Sequence, residues 1–456
     1  MNYKKLIALF LLTSVSLVAV ALYNGFPLAD HDTGSYLLQA IHPYLPPGRT
    51  PFYGIFIRVS SLSMSLWFTI FAQSGILAYL LLRYIWLFRQ PKQAGGFRFA
   101  LLSVITITSF TCVSWVASSI VPDIFAGVLL LAIILFIAEQ DNSKKMHIIY
   151  TAIIFIAITI HNSHFPVTVL FSCILLITGI IHKRKLLIKR SFILLCTCVA
   201  VWVLMGSMNA VKKHGFTFSR GRDIVLTAKL AEDGILTAYL KEHCDKQPSM
   251  LCNYKDSMPQ SVNDFLTLSQ SPLYKAGGWD SGRAEYHDVV INIVTTPRYF
   301  MMFARKLMTG TLEELTQISP PDKIPVQDKT SETRTAIKNY FSEELPAYTT
   351  AQQNNNQLSA EACNTVYNLF FILSLLWILL FYNRVITKDI AFIYYCIFLF
   401  FVVNAFVAAM FSSISYRLQY RVWWIFPATN FIIIIRYYLH KVEKTISPLT
   451  GNYEQK

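Results

Sequence analysis

Residues 100–138 read ALLSVITITSFTCVSWVASSIVPDIFAGVLLLAIILFIA, with Asp123 as the single charged side chain. Two apolar runs, 100–119 and 124–138, flank a corner at 118–123 that closes on Pro122-Asp123. Uncharged runs of this kind read as helices in a bilayer, where backbone N–H and C=O groups find no water and must bond within the helix. The whole chain shares this character. Its 456 residues are 54% hydrophobic and 14% charged, with a mean hydropathy of +0.44, too apolar for a soluble protein of this length.

Outward from this stretch, the first residues, MNYKKLIALFLLTSVSLVAVAL, resemble a signal sequence. Without an A-x-A-like cleavage site, they read as a retained first span. Further apolar runs lie at 66–87, 148–162, 165–181, 191–210, 365–382, 390–411 and 422–439. The expectation is an all-α membrane protein of about ten transmembrane helices. Short basic loops mark the cytoplasmic side. Arg89, Lys92 and Arg98, then Lys144 and Lys145, Lys183 to Arg190, Arg384 and Lys388, and Lys441 and Lys444 all fall on one side of this count. Both termini are therefore expected in the cytoplasm, and residues 26–58, the 118–123 and 161–164 corners, 211–364 and 412–421 outside. Three parts follow: an N-terminal membrane module at 1–210, an extracytoplasmic region of helices and loops at 211–364 between the seventh and eighth spans, and C-terminal spans with a short tail at 365–456.

Net charge is +14, yet residues 211–364 are nearly balanced, with 17 Lys/Arg against 18 Asp/Glu. The surplus belongs to the short loops, so no basic surface for nucleic acid is expected. Within the outer region, 296–316 reads as a helix with Pro297 at its start and Gly310 as its stop, lying either in the membrane surface or in a core. The 8 cysteines show no zinc-type spacing. Cys112, Cys173, Cys196, Cys198 and Cys396 fall in apolar runs, and Cys244 and Cys252 are able to pair on an oxidising side.

Chemistry concentrates at 30–53, DHDTGSYLLQAIHPYLPPGRTPFY. Asp32-Thr33-Gly34-Ser35-Tyr36 is followed, after a Pro-rich bend, by Arg49-Thr50-Pro51-Phe52-Tyr53 where a helix begins. This resembles the GT-C glycosyltransferases, in the branch of the lipid A aminoarabinose transferases and protein O-mannosyltransferases. Their first outer loop carries an acidic D-E-x-x-Y element and then a basic residue, Pro, Pro, aromatic or Leu, and Tyr. Asp32 and Tyr36 fall on the first element; Arg49, Pro51, Phe52 and Tyr53 fall on the second. Pro122-Asp123 resembles the family's Arg-Pro-Asp, and Gln419-Tyr420-Arg421 through Pro427 resembles its Arg-Tyr-x-x-x-x-Pro.

The resemblance implies transfer of a sugar from a polyprenyl-phosphate donor to a glycolipid, glycan or protein acceptor at the outer face, in a membrane such as the bacterial inner membrane. An acceptor hydroxyl or amine needs a base, for which Asp32 is the first candidate and Asp30 the substitute. The leaving lipid phosphate needs fixed cations, for which Arg49 is aided by Tyr53 and by Arg417 or Arg421. Tyr36, His161, His164 and Asp123 are further substrate-site candidates. The family's second acid is replaced by Thr33, which leaves divalent-metal binding open; no other cofactor is implied. Structural roles stand beside these: Asp32 as a helix N-cap, Asp123 at a helix dipole, the histidines as hydrogen-bonded interface residues, and Arg417 and Arg421 as headgroup anchors. A lipid-linked glycan polymerase or ligase shares this architecture. A secondary transporter would instead carry ionisable residues at mid-membrane, where the runs here are nearly free of charge.

Overall fold

The computed structural model describes residues 3–450 except 43, 90–94, 140–142, 247 and 329. Lys92, the side chain of Lys444 and the end of the tail lie outside the described residues. Regular structure among the described residues is helical, with β pairing limited to the isolated bridges Leu28–Ser119 and Lys323–Ser359. In chain order come α1 (Tyr3–Leu17), α2 (Ala19–Asn24), α3 (Thr33–Ile41), α4 (Phe52–Ser61), α5 (Leu66–Leu87), α6 (Gly96–Phe110), α7 (Val113–Ala117), α8 (Ile124–Ala138), α9 (Lys144–Ile160), α10 (His164–Ile181) and α11 (Lys185–Val211). The region that follows holds α12 (Arg222–Glu232), α13 (Ile235–His243), α14 (Val262–Thr267), α15 (Pro272–Lys275), α16 (Arg283–Thr295), α17 (Pro297–Leu315), α18 (Glu332–Tyr340) and α19 (Leu345–Thr350). The chain ends with α20 (Glu361–Leu380), α21 (Tyr382–Val385), α22 (Lys388–Phe411), α23 (Tyr416–Trp423) and α24 (Ile425–Thr450).

Among the described residues six stretches are long and apolar enough to cross a membrane: α5, α10, α11, α20, α22 and Tyr416–Val442, which joins α23 to α24. The apolar helices α6 and α8 are shorter, at 15 residues each. Two expected spans are interrupted. The first breaks at Val18, and its second piece is tied sideways, Ala21 N–H donating to Ser118 Oγ at 3.0 Å. The 100–119 run breaks after Phe110, where Thr111 turns extended and its hydroxyl bonds back to the Ile107 carbonyl at 2.7 Å. Hydropathy is blind to such a break, because the residues stay apolar through it.

α8 carries no polar stripe, a composition that suits a packed core or a lipid-facing span alike, and here it is the core. Ile124 through Ile137 are all buried, with α5, α9, α22 and α23 packed around them. The most apolar helix thus becomes the axis of the bundle, and its first residue follows Asp123. The second core belongs to residues 224–303, where Ile224, Leu236, Phe265, Tyr286 and Ile293 pack together, and the Cys244 and Cys252 thiols form a disulfide there. Residues 336–360 join the membrane core instead, so the region read as one extracytoplasmic unit has two attachments. α18 lies across α3, where a Cβ on Gly34 would come within 2.5 Å of Thr333 N.

The helix expected to stop at Gly310 continues to Leu315. Gly310 serves a close approach: α17 packs on α22, and a Cβ at Gly310 would sit 3.3 Å from the Ala409 methyl. The helix is therefore a packed element rather than one lying free in the membrane surface. One turn on, Glu314 is fully buried, its Oε2 accepting the Ser415 N–H at 3.1 Å, while Oε1 has no hydrogen-bond partner among the described residues. Glu232 accepts from the Ser413 hydroxyl in the same turn. Two carboxylates of the outer region thus hold the 412–415 turn that leads into α23.

Burial pushes the Glu314 carboxyl up from its ordinary 4.5 to about 7, against the Ser415 N–H and the charges of Arg421 and Lys229. Its folded value lies above its unfolded one, so the native state holds the extra proton, and stability falls as pH rises through about 4.5 to about 7. Thermal melts of the wild type and Glu314→Gln in one detergent, from about pH 5 to about pH 8, should show the wild type losing roughly 3 kcal/mol relative to the variant. A constant difference across that range would mean that Glu314 does not titrate there.

Candidate functional site

The site is assembled from the ends of helices far apart in sequence. At the start of α3, Thr33 rather than Asp32 does the local anchoring. The Thr33 hydroxyl accepts the Asp30 N–H at 2.8 Å and donates to the Ile120 carbonyl at 3.0 Å. Asp32 occupies the N-cap position but makes no capping bond. Its carboxylate is therefore available to groups outside the helix.

The bend that delivers Arg49 is clamped on several sides. Thr50 Oγ1 donates to Ile160 O at 2.9 Å, and Asn162 Nδ2 to Gly48 O at 2.8 Å. The outer region adds Gly221 N–H to Pro47 O at 2.9 Å and Arg220 Nη2 to Leu45 O at 2.7 Å. The Trp279 ring lies against both glycines: a Cβ on Gly48 would stand 3.1 Å from it and one on Gly221 2.7 Å. So fixed, the Arg49 guanidinium donates to Ser35 Oγ and Asp32 Oδ1, 5.0 Å over the centre of the Tyr36 ring.

The first turns of α23 supply the rest. Arg417 spreads its three nitrogens over three carboxylates: Nη1 to Asp30 at 2.9 Å, Nη2 to Asp32 at 2.6 Å and Nε to Asp123 at 3.1 Å. The last is an ion pair without hydrogen-bond alignment, since Asp123 Oδ2 lacks a hydrogen-bond partner. Arg421, one turn on, bonds Asp123 Oδ1 at 2.9 Å, Asn404 Oδ1 at 3.2 Å and Ser163 Oγ at 3.4 Å. Three aspartates thus face three arginines in one chain of contacts. Access is graded along it: the side chains of Arg49 and Asp32 are 35% and 24% exposed, those of Arg421 and Asp123 only 1% and 3%. Arg49, Asp32, Asp30 and Arg417 form the reachable end; Asp123 and Arg421 form its foundation.

Burial alone would raise the Asp32 pKa, but the Arg417 and Arg49 charges and their hydrogen bonds outweigh it and hold the carboxyl well below its usual range. The group is ionised and, while both guanidiniums hold it, weakly basic. His161, in the corner between α9 and α10, is pushed well below the usual imidazole range by burial and then by His164, Arg421 and Arg417. Its ring is neutral, with Nδ1 2.7 Å from Ser163 Oγ.

The remaining candidates lie behind this surface. Tyr53 is fully buried; its hydroxyl donates to Gln73 Oε1 at 3.1 Å and its ring meets Tyr36 edge-on, so it backs Tyr36 rather than facing outward to a phosphate. His164 is buried, with Nδ1 2.7 Å from the Ala157 carbonyl. Reasoning from sequence missed Ser35, Ser163, Asn404 and Trp279. Asn404 carried a usable signal, a lone amide inside an apolar run, where an unpaired polar group is costly; it bonds Gln419 Oε1 at 2.8 Å and the Leu418 carbonyl at 2.7 Å. Trp279 carried none.

Among the described residues no three His, Cys, Asp or Glu side chains are arranged to hold a metal ion. The three aspartates here face guanidiniums. In comparisons with protein-family models, curated proteins and solved structures, the chain matches none.

Proposed function

We propose that this chain is a membrane glycosyltransferase that moves a sugar from a polyprenyl-phosphate donor to a glycolipid, glycan or protein acceptor at the extracytoplasmic face. What carries the reading is a reachable carboxylate, Asp32, held between two guanidiniums, Arg49 and Arg417, at one end of a helical membrane bundle. Asp32 and Arg49 fall on the elements that resemble the GT-C first outer loop, and Arg417 joins them from α23.

The chemistry follows from the pairing. A lipid phosphate arriving at Arg49 and Arg417 competes with Asp32 for the same donors, and the forked guanidinium suits phosphate as well as carboxylate. As the phosphate takes those donors, Asp32 loses the charges that suppress its basicity. It then accepts the proton of an acceptor hydroxyl or amine; the acceptor atom bonds the anomeric carbon, and the bond from that carbon to the phosphate oxygen breaks. The phosphate departs with the electron pair, and Arg49 and Arg417 stabilise its charge. Donor binding and base activation are one event in this scheme. Arg417 touches Asp32 directly and serves the donor; Arg421 keeps Asp123 neutralised. In the same proposal the chain crosses the membrane about ten times, with both termini in the cytoplasm.

The test is mass spectrometry of envelope glycolipids and glycans in a strain lacking the protein and in the same strain carrying variants. A product absent from the null strain should return with the wild type. Asp32→Asn should reduce it about 10²-fold or more while the purified protein stays monodisperse; full restoration would remove Asp32 as the base. Arg49→Ala should weaken retention of polyprenyl phosphate by the purified protein about tenfold or more, as expected for a lost charge-assisted bond; unchanged retention would count against the phosphate role. Topology reporters at Lys185 and Gln260 should report opposite sides of the membrane, and the same side for both would break the proposed topology.

A further inference from the structure

The far end of the bundle carries a second concentration of charge. α8 starts beside Asp123 and ends about 22 Å away at its rise per residue, and there the starts of α9, α11 and α22 meet the later part of α24. A groove of about 1260 Å³ runs between α9 and α11. Its walls are apolar, with Ile148, Phe155, Ile156, Phe192 and Ile193 among them. Beyond Lys144 and Lys189 at its mouth, it extends from His147 to Ile156 along α9 and from Arg190 to Ala200 along α11, roughly 14–15 Å at 1.5 Å per residue. That is half of a hydrocarbon core of roughly 30 Å, the depth of one leaflet.

The mouth of the groove is basic. Lys144 and Lys189 line it and are exposed. Behind them Arg190 is immobilised: Nη1 donates to the Ile137 carbonyl, and Nη2 lies 3.0 Å from the Glu139 carbonyl and 3.2 Å from His147 Nε2. Because Arg only donates, His147 Nε2 accepts there. Glu139, just past the end of α8, is taken up by Arg83 and by Tyr150, and Asp141 lies outside the described residues. A cavity of about 710 Å³ shares Leu186 and Arg190 with the groove and is lined by Arg184, Lys185 and Arg436, with Asp389 as its acid.

We propose that this groove binds an anionic membrane phospholipid, one acyl chain lying between α9 and α11 and the phosphate between Lys144 and Lys189 against the fixed charge of Arg190. A trough of one leaflet's depth matches the length of an acyl chain. The cations at its mouth select against a zwitterionic headgroup, whose own ammonium they repel. The site lies at the other end of the bundle from Asp32 and is independent of the reaction proposed there.

Native mass spectrometry of the full chain, equilibrated with equal amounts of phosphatidylglycerol and phosphatidylcholine of identical acyl chains, tests this. The wild type should retain phosphatidylglycerol preferentially. Lys144→Gln/Lys189→Gln should reduce that preference about 10- to 30-fold, both residues being exposed and free to change without disturbing a core. Ala200→Trp, at an exposed position on the groove wall, should reduce retention of phosphatidylglycerol by occupying the chain's place. Millimolar inorganic phosphate should not displace the lipid. Equal retention of both lipids by the wild type, a preference that survives both variants, or displacement by inorganic phosphate would each overturn the proposal.

Discussion

The guanidinium of Arg417 is the point on which the rest of the site depends. Its contacts with Asp30, Asp32 and Asp123 join the first outer loop, the start of the axial helix α8 and the late helix α23. Taken singly, an aspartate in so dry a place would cost several kcal/mol in lost hydration. Charges taken from water in matched pairs cost less, and the matching holds along the whole chain of contacts. Removing one member leaves its partners uncompensated, so the network ties the order of distant segments to one charge balance.

Packing and electrostatics support each other here. α8 lies at the centre of the bundle, which sets Asp123 where Arg417 and Arg421 converge. Close helix approaches then hold the loop elements at fixed distances. Gly54 of α4 comes so near α3 that a Cβ there would stand 2.6 Å from the Gln39 Cβ, and Gly34 allows α18 to rest on α3 in the same way. From outside, Glu232 and Glu314 hold the turn ahead of Arg417, and Trp279 fills the space beside the Arg49 bend. The 211–364 region is therefore part of the site's scaffold, acting on Arg49 and Arg417 together.

Much of this was legible in the sequence. Asp32 and Arg49 stood out because Pro-rich punctuation fixes their register and because nearby acids and cations are rare in so apolar a chain. The adjacency of the 118–123, 161–164 and 412–421 corners followed from counting apolar runs. Other features left no local trace. Arg417 and Arg421 share a helical face one turn apart, and only tertiary placement separates the one that reaches Asp32 from the one sealed against Asp123. Tyr53 read as a ligand of phosphate because pattern cannot tell which way a helix faces. Gly310 read as a stop because glycine signals both helix ends and close approaches. The break at Val18 goes with the bond from Ala21 to Ser118 and the one at Thr111 with a side-chain bond back to Ile107, neither of which hydropathy registers.

The graded exposure from Arg49 to Arg421 bears on how such a network can do work. A fully sealed set of ion pairs is rigid but unreactive, since no ligand can compete for its members. A fully exposed one is screened and contributes little. Here the inner pair, Asp123 with Arg421, holds the geometry, while the outer pair, Asp32 with Arg49, is open to an incoming anion. Arg417 belongs to both, so a phosphate that draws it away from Asp32 leaves it still paired to Asp123 through Nε. In the proposed transfer the donor site can then open without losing its anchor, and the carboxylate released in that exchange is the one proposed to take the acceptor's proton.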